Sequence, residues 1–128
     1  MGQQQLLLIV LGVIIVAIAV VVGITVFSGQ NVNSNRDAVT SDLTTIANLA
    51  QTYYRKPASL AGGGSTFTGF TIPTSMASNA NGTYTATVAA QTVTLVGKGK
   101  YTVTSGGTDT VQVSMTVTQD NLTTMIVK

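Results

Sequence analysis

Residues Leu6 to Phe27 read LLLIVLGVIIVAIAVVVGITVF, an uncharged run of 22 residues in which Gly12, Gly23 and Thr25 are the only breaks in the apolar side chains. No small domain buries such a run on all of its faces. As a helix it would be roughly 33 Å long, which matches the hydrocarbon thickness of a bilayer. The segment is therefore expected in a membrane or in a bundle of similar helices. A secretory signal would show a basic start, a shorter apolar core and an Ala-x-Ala exit. None of these features is present, so the run is expected to stay in the working molecule. The first basic side chain is Arg36, which leaves the positive-inside rule little to act on, and orientation is only weakly specified.

Beyond residue 28 the chain has about 100 residues, the size of one small domain. Composition shifts divide the whole into residues 1–28, an apolar transmembrane or filament-core helix, residues 29–57, an amphipathic spine helix, and residues 58–128, an antiparallel β headpiece. Six basic residues face four acidic ones, a net charge of +2 that gives no reason to expect nucleic acid. His, Cys and Glu are all absent, and the four Asp residues are scattered. No acid/base pair, metal cluster or activated nucleophile can be assembled from this set, so neither an enzyme nor a cofactor is expected. Gly62-Gly63-Gly64 lacks the Lys-Ser/Thr and strand-helix setting of a phosphate loop. Thr, Ser, Asn and Gln must supply the polar surface.

The pattern after the run changes twice. Gly29 to Asn35 is polar and reads either as a loop or as a kinked continuation of the helix. From Asp37 to Lys56, Val39, Leu43, Ile46, Ala50 and Tyr53 recur at helical spacing and mark an amphipathic helix that ends near Arg55, before Pro57. Ala58 to Ser65 reads as a flexible connection. The rhythm then becomes two: Tyr84, Ala86 and Val88; Val93 and Leu95; Tyr101 and Val103; Val111, Val113, Met115 and Val117. Gly97-Lys98-Gly99 and Ser105-Gly106-Gly107-Thr108 read as turns, Leu122 to Val127 as a last strand, and Phe67 to Ile72 as a short edge strand ending at Pro73. The fold class is α+β, a long N-terminal helix packed on an antiparallel sheet of about four to five strands.

In this order the chain resembles the type IV pilin superfamily, pilins and pseudopilins. The resemblance is strongest in Leu6 to Phe27 followed by AVTSDLTTIANLAQTYYRKP, Ala38 to Pro57, where a Tyr pair closes the long helix. It implies a structural subunit of an extracellular pilus-like filament, held in the inner (cytoplasmic) membrane before assembly and packed through its apolar helix afterwards. The implied partners are identical subunits, a pilus platform protein and an assembly ATPase. Pilins generally carry Glu at the fifth mature position, thought to meet a neighbour's terminal amine, after a leader ending in Gly is removed. Here Gln5 holds that place if Met1 opens the mature chain, and cleavage after Gly2 would put Leu7 there. The residues assigned to subunit assembly are Gln3, Gln4, Gln5, Leu6, Leu11, Gly12, Ile15, Gly23 and Phe27. Gly12 and Gly23 either permit close helix approach or are the glycines common in membrane helices, and the three glutamines either bond neighbours or form an interfacial end. Tyr53 and Tyr54 are expected in core packing with hydroxyls on polar partners. Lys98, Lys100 and Lys128 are expected as solubilising charges or edge guards. Asn81-Gly82-Thr83 and Asn121-Leu122-Thr123 fit the glycosylation acceptor pattern, making Asn81 and Asn121 candidate modification sites. A secretion pseudopilin and a membrane-tethered β binding module are the alternatives.

Overall fold

The computed structural model of the chain describes residues 2–103 and 107–128. It contains a helix α1, Gly2–Arg55, a four-residue helix α2, Thr74–Ala77, and four strands, β1 Gly82–Val88, β2 Val93–Thr102, β3 Thr110–Val117 and β4 Leu122–Ile126. The chain divides into two units, Met1–Asn31 and Val32–Lys128. The described part of the first unit is helical throughout. Residues 29–35 continue the helix, and Val32 and Asn35 are already buried in the second unit. Gln30, Asn33 and Ser34 of that stretch take exposed positions on a helix rather than a loop.

The second unit is one layer of helix on one sheet. The strands run in the order β1-β2-β3-β4 with every neighbouring pair antiparallel, and Val93, for example, faces both Val88 and Val117. Residues 32–55 of α1 bury Val39, Leu43, Ile46, Ala47, Ala50 and Tyr54 against Leu95, Val111, Val113, Met115 and Val117. The expected stripe holds as far as Ala50. Its last member is Tyr54 rather than Tyr53, because a helix of 3.6 residues per turn reaches the same face four residues after Ala50. Tyr53 turns to the flank, where its hydroxyl donates to the Thr68 carbonyl at 2.8 Å and its ring lies 5.7 Å from that of Phe70. The Tyr54 hydroxyl donates to Gln119 Oε1 at 2.8 Å, and its ring lies 4.7 Å from that of Phe67.

Three local expectations are corrected. Gly97-Lys98-Gly99 is no turn, since it lies in the middle of β2. A Cβ on Gly97 would come within 2.6 Å of Val39 Cγ1, and one on Gly99 would collide with Asn35 Oδ1. Both glycines are there because α1 presses directly on the β2 backbone. Phe67 to Ile72 is no strand: the Phe70 N–H donates to the Phe67 carbonyl at 2.9 Å, Gly69 takes a φ of +89°, and the two Phe side chains plug the core three residues apart. The glycine run at 62–64 is a helix cap rather than a slack connection. The Gly63 N–H donates to Tyr53 O at 2.7 Å, that of Gly64 to Lys56 O at 2.9 Å and that of Ser65 to Tyr54 O at 2.9 Å, which satisfies carbonyls that a helix end leaves open.

The remaining strand expectations hold in outline. Tyr101 and Val103 are 50% and 38% exposed, because the β2–β3 register shifts between Lys98 and Thr102 and the strand end leaves the cover of α1. Ser105 and Gly106 of the expected 105–108 turn lie outside the described residues. Along α1 the hydroxyls of Thr25, Thr40, Thr44, Thr45 and Thr52 each donate to the carbonyl four residues back.

The Gly99 contact makes a direct test. In full-length protein in detergent micelles, Gly99→Ala is expected to lower unfolding stability by ~1–3 kcal/mol in urea titration, because the methyl displaces Asn35. Ala at the exposed Gly29, where a Cβ meets nothing, is expected to hold or slightly raise the midpoint, because Ala suits a helix interior better than Gly by about 1 kcal/mol.

Candidate functional site

The helix of the first unit carries every residue assigned from sequence to subunit assembly. Gln3, Gln4, Gln5, Leu6, Leu11, Gly12, Ile15, Gly23 and Phe27 are all exposed. From Leu6 to Phe27 each large apolar side chain leaves between 50% and 70% of its surface open, on every face of the helix. Isolated exposed Leu or Val residues are ordinary on a soluble surface, whereas a continuous exposed sleeve marks a membrane or protein contact. The helix is long and apolar enough to cross a membrane. Gly12 and Gly23 have open space where a Cβ would go, so no contact within the described residues requires a glycine at either place. Thr25, the one hydroxyl inside the run, donates to the Val21 carbonyl at 3.0 Å and so leaves no free donor. The hollows at Gln3–Val10 and Ala17–Val22 are gaps between the side chains of a bare helix, lined by four residues each.

The second unit, by contrast, hydrogen-bonds Asn35 and Asp42 within itself, and Arg36 Nε is buried there without a partner among the described residues. Asn35, buried on α1, donates its amide to the Asn81 carbonyl at 2.8 Å and accepts the Lys100 N–H at 3.1 Å. Two turns later Asp42 Oδ2 accepts from Asn79 Nδ2 and Asn81 Nδ2, both at 2.9 Å, and from the Tyr84 hydroxyl at 2.5 Å. Asn79 in turn accepts the backbone N–H groups of Asn81 and Gly82 through Oδ1. A single carboxylate thus ties α1 to β1 and to the segment ahead of it. Burial alone would raise the Asp42 pKa, but the hydrogen bonds from Asn81, Tyr84 and Asn79 outweigh it and hold the group below its ordinary value. Burial and the neighbouring carboxylate push the Tyr84 phenol well above the usual range, so it remains a neutral donor. This clamp was not anticipated. The available signal was Asn35 and Asp42 seven residues apart, two turns along one flank of the apolar stripe.

The two acceptor triplets differ. Asn81 is half-buried and its amide nitrogen is committed to Asp42, while Asn121 is exposed in the turn before β4 and its Oδ1 accepts the Leu122 N–H at 2.9 Å. Lys128 pairs with Asp109 at 2.9 Å across exposed surface, an arrangement of little energetic weight. Among the described residues no three His, Cys, Asp or Glu side chains gather as a metal site. No family model, curated protein or solved structure matches this chain.

The clamp has a pH signature. The folded pKa of Asp42 lies below its ordinary value of 3.8, so its contribution is complete above that value and is lost as pH falls through the folded pKa. Stability of the wild type is expected to drop on acidification from about pH 5 to about pH 2, and Asp42→Asn is expected to be less stable at neutral pH with a shallower acid dependence. Chemical denaturation followed by circular dichroism across that range checks both slopes.

Proposed function

We propose that the chain is a structural subunit of an extracellular type IV pilus-like filament. The observation that carries this reading is the contrast between the two units. Residues 32–128 bury a core and satisfy the Asn35 and Asp42 polar groups, whereas residues 6–27 leave an apolar sleeve with no partner among the described residues. At ~25 cal/mol per Å² of apolar surface, sheathing a helix of this kind is worth tens of kcal/mol before association entropy is subtracted. Such a segment exists in lipid or against its own kind and never free in water. In the proposed life cycle the bilayer holds it first, and helices of other copies surround it after extraction. The absence of charge from residues 6–27 suits both surroundings. The pilin-like order of apolar helix, amphipathic spine and antiparallel sheet supports the same reading, and through it a platform protein and an assembly ATPase as partners. The membrane is the site before assembly, and the cell surface is the site after it.

A single-pass anchor carrying a binding head would need the same sleeve. Electron microscopy of preparations purified without detergent separates the two. The filament reading expects long regular fibres containing this chain, and a monomer that stays soluble only in detergent counts against it. Ile15→Asp, placing a charge mid-sleeve, is expected to abolish fibres while the head keeps its near-wild-type circular dichroism and urea midpoint. Normal fibres from that variant would rule out a helical core built from these residues.

A further inference from the structure

Asn81-Gly82 is the one Asn-Gly pair in the chain. A glycine after asparagine leaves a backbone N–H without side-chain cover, next to a carboxamide carbon that its nitrogen can attack. The fold nonetheless demands both residues. A Cβ on Gly82 would collide with the Lys98 carbonyl oxygen across the β1–β2 ladder, and Asn81 Nδ2 donates to Asp42 Oδ2 at 2.9 Å. The tie between α1 and β1 is thus made through a chemically fragile dipeptide.

In the folded head this dipeptide is held from several sides. The N–H groups of Asn81 and Gly82 both donate to Asn79 Oδ1, at 2.9 and 3.2 Å. The Asn81 carbonyl accepts from Asn35 Nδ2 at 2.8 Å, and the Gly82 carbonyl accepts the Asn79 N–H at 3.0 Å. To cyclise, the Gly82 nitrogen must give up its proton and turn onto Asn81 Cγ. With the clamp closed that N–H faces Asn79 and the carboxamide is drawn to Asp42, so the attack is blocked. Opening needs only a local event, because β1 is an edge strand of the sheet and is paired along β2 alone over most of its length.

We propose that Asn81 is a site of spontaneous deamidation gated by this clamp. In the open form the Gly82 nitrogen bonds to Asn81 Cγ, the Cγ–Nδ2 bond breaks, and the amide nitrogen leaves as ammonia with the Gly82 proton. Water then opens the cyclic imide to an aspartyl or isoaspartyl residue. Either product puts a carboxylate where Asp42 had a donor, and two carboxylates at that separation repel each other. The isoaspartyl form also lengthens the backbone ahead of β1. The change runs one way: a head that has opened and reacted does not restore its clamp, and the modified fraction records time spent open. The proposal concerns the head alone and stands independently of the filament reading.

Full-length protein in detergent micelles is incubated at neutral pH, and deamidation at Asn81 is followed by peptide mass spectrometry with separation of the isoaspartyl form. The folded wild type is expected to react at least ~10-fold more slowly than the same chain in denaturing guanidinium chloride, because reaction through an opened state scales with its population. Asn79→Ala frees both N–H groups. It is expected to react several-fold faster than Val117→Ala, the two compared at guanidinium concentrations that give equal stability. Val117 is buried in the row of Val88 and Val93, at the opposite end of β1 from Gly82, so its truncation weakens the core and leaves the clamp in place. A folded wild type that reacts at the denatured rate overturns the guard, and Asn79→Ala reacting no faster than Val117→Ala overturns the local gate. Should Asn79→Ala not fold, the wild type decides. A rate nearly flat in guanidinium below the unfolding transition marks local opening, and a rate that follows global unfolding throughout overturns the proposal. Asn81→Asp supplies the aspartyl product directly and is expected to unfold at a lower guanidinium midpoint than Asn81→Ala, whereas an equal or higher midpoint overturns the one-way step.

Discussion

The head depends on the close approach of α1 to the backbone of β2. At Gly97 and Gly99 the sheet offers no side chain, and Val39 and Asn35 occupy the space that Cβ atoms would take. That approach brings the Asn35 amide within reach of the Asn81 carbonyl and the Lys100 N–H, and it places Asp42 where Tyr84, Asn79 and Asn81 converge. With a side chain at either glycine, the helix would ride higher and lose contact with both clusters. The apolar stripe supplies most of the burial, while the glycine saddle fixes where along the sheet that stripe comes to rest.

The parts of the fold legible in sequence were those written as periodicity. The 3.6 rhythm of Val39, Leu43, Ile46 and Ala50 and the alternation of Val111, Val113, Met115 and Val117 each reflect a face buried on one side only, and both face the core as expected. The parts that were not legible turn on tertiary contacts with local sequences that look like something else. Gly-Lys-Gly reads as a turn until a helix is known to lie across it. Gly62-Gly63-Gly64 reads as slack until its N–H groups meet the carbonyls of Tyr53 and Lys56. Phe67 to Ile72 has strand-like residues, but Gly69 at positive φ and the turn at Phe70 break the period of two. For the candidate assembly surface, the sequence located the apolar sleeve without ambiguity, because length and absence of charge need no tertiary information.

The two units embody different physical strategies. Residues 32–128 form a conventional core with few charges, and Asn35 and Asp42 of α1 are hydrogen-bonded there. Residues 6–27 postpone their burial to a surrounding that the described residues do not supply. A molecule organised in this way has a well-defined head whatever its surroundings, and a sleeve whose free energy is set by its neighbours. The proposed passage from bilayer to fibre uses that division, because the sleeve can exchange one apolar neighbour for another without disturbing the clamp at Asp42.

The threonines of α1 carry a further consequence. Thr25, Thr40, Thr44, Thr45 and Thr52 spend their hydroxyl protons on carbonyls of the preceding turn. What each then offers outward is chiefly a methyl group. The helix surface around each of these threonines is accordingly closer to a hydrocarbon skin than residue type suggests, wetted through the lone pairs of a hydroxyl that has no proton left to give. Water is held loosely on such a skin and is easily displaced when another surface of the same kind arrives.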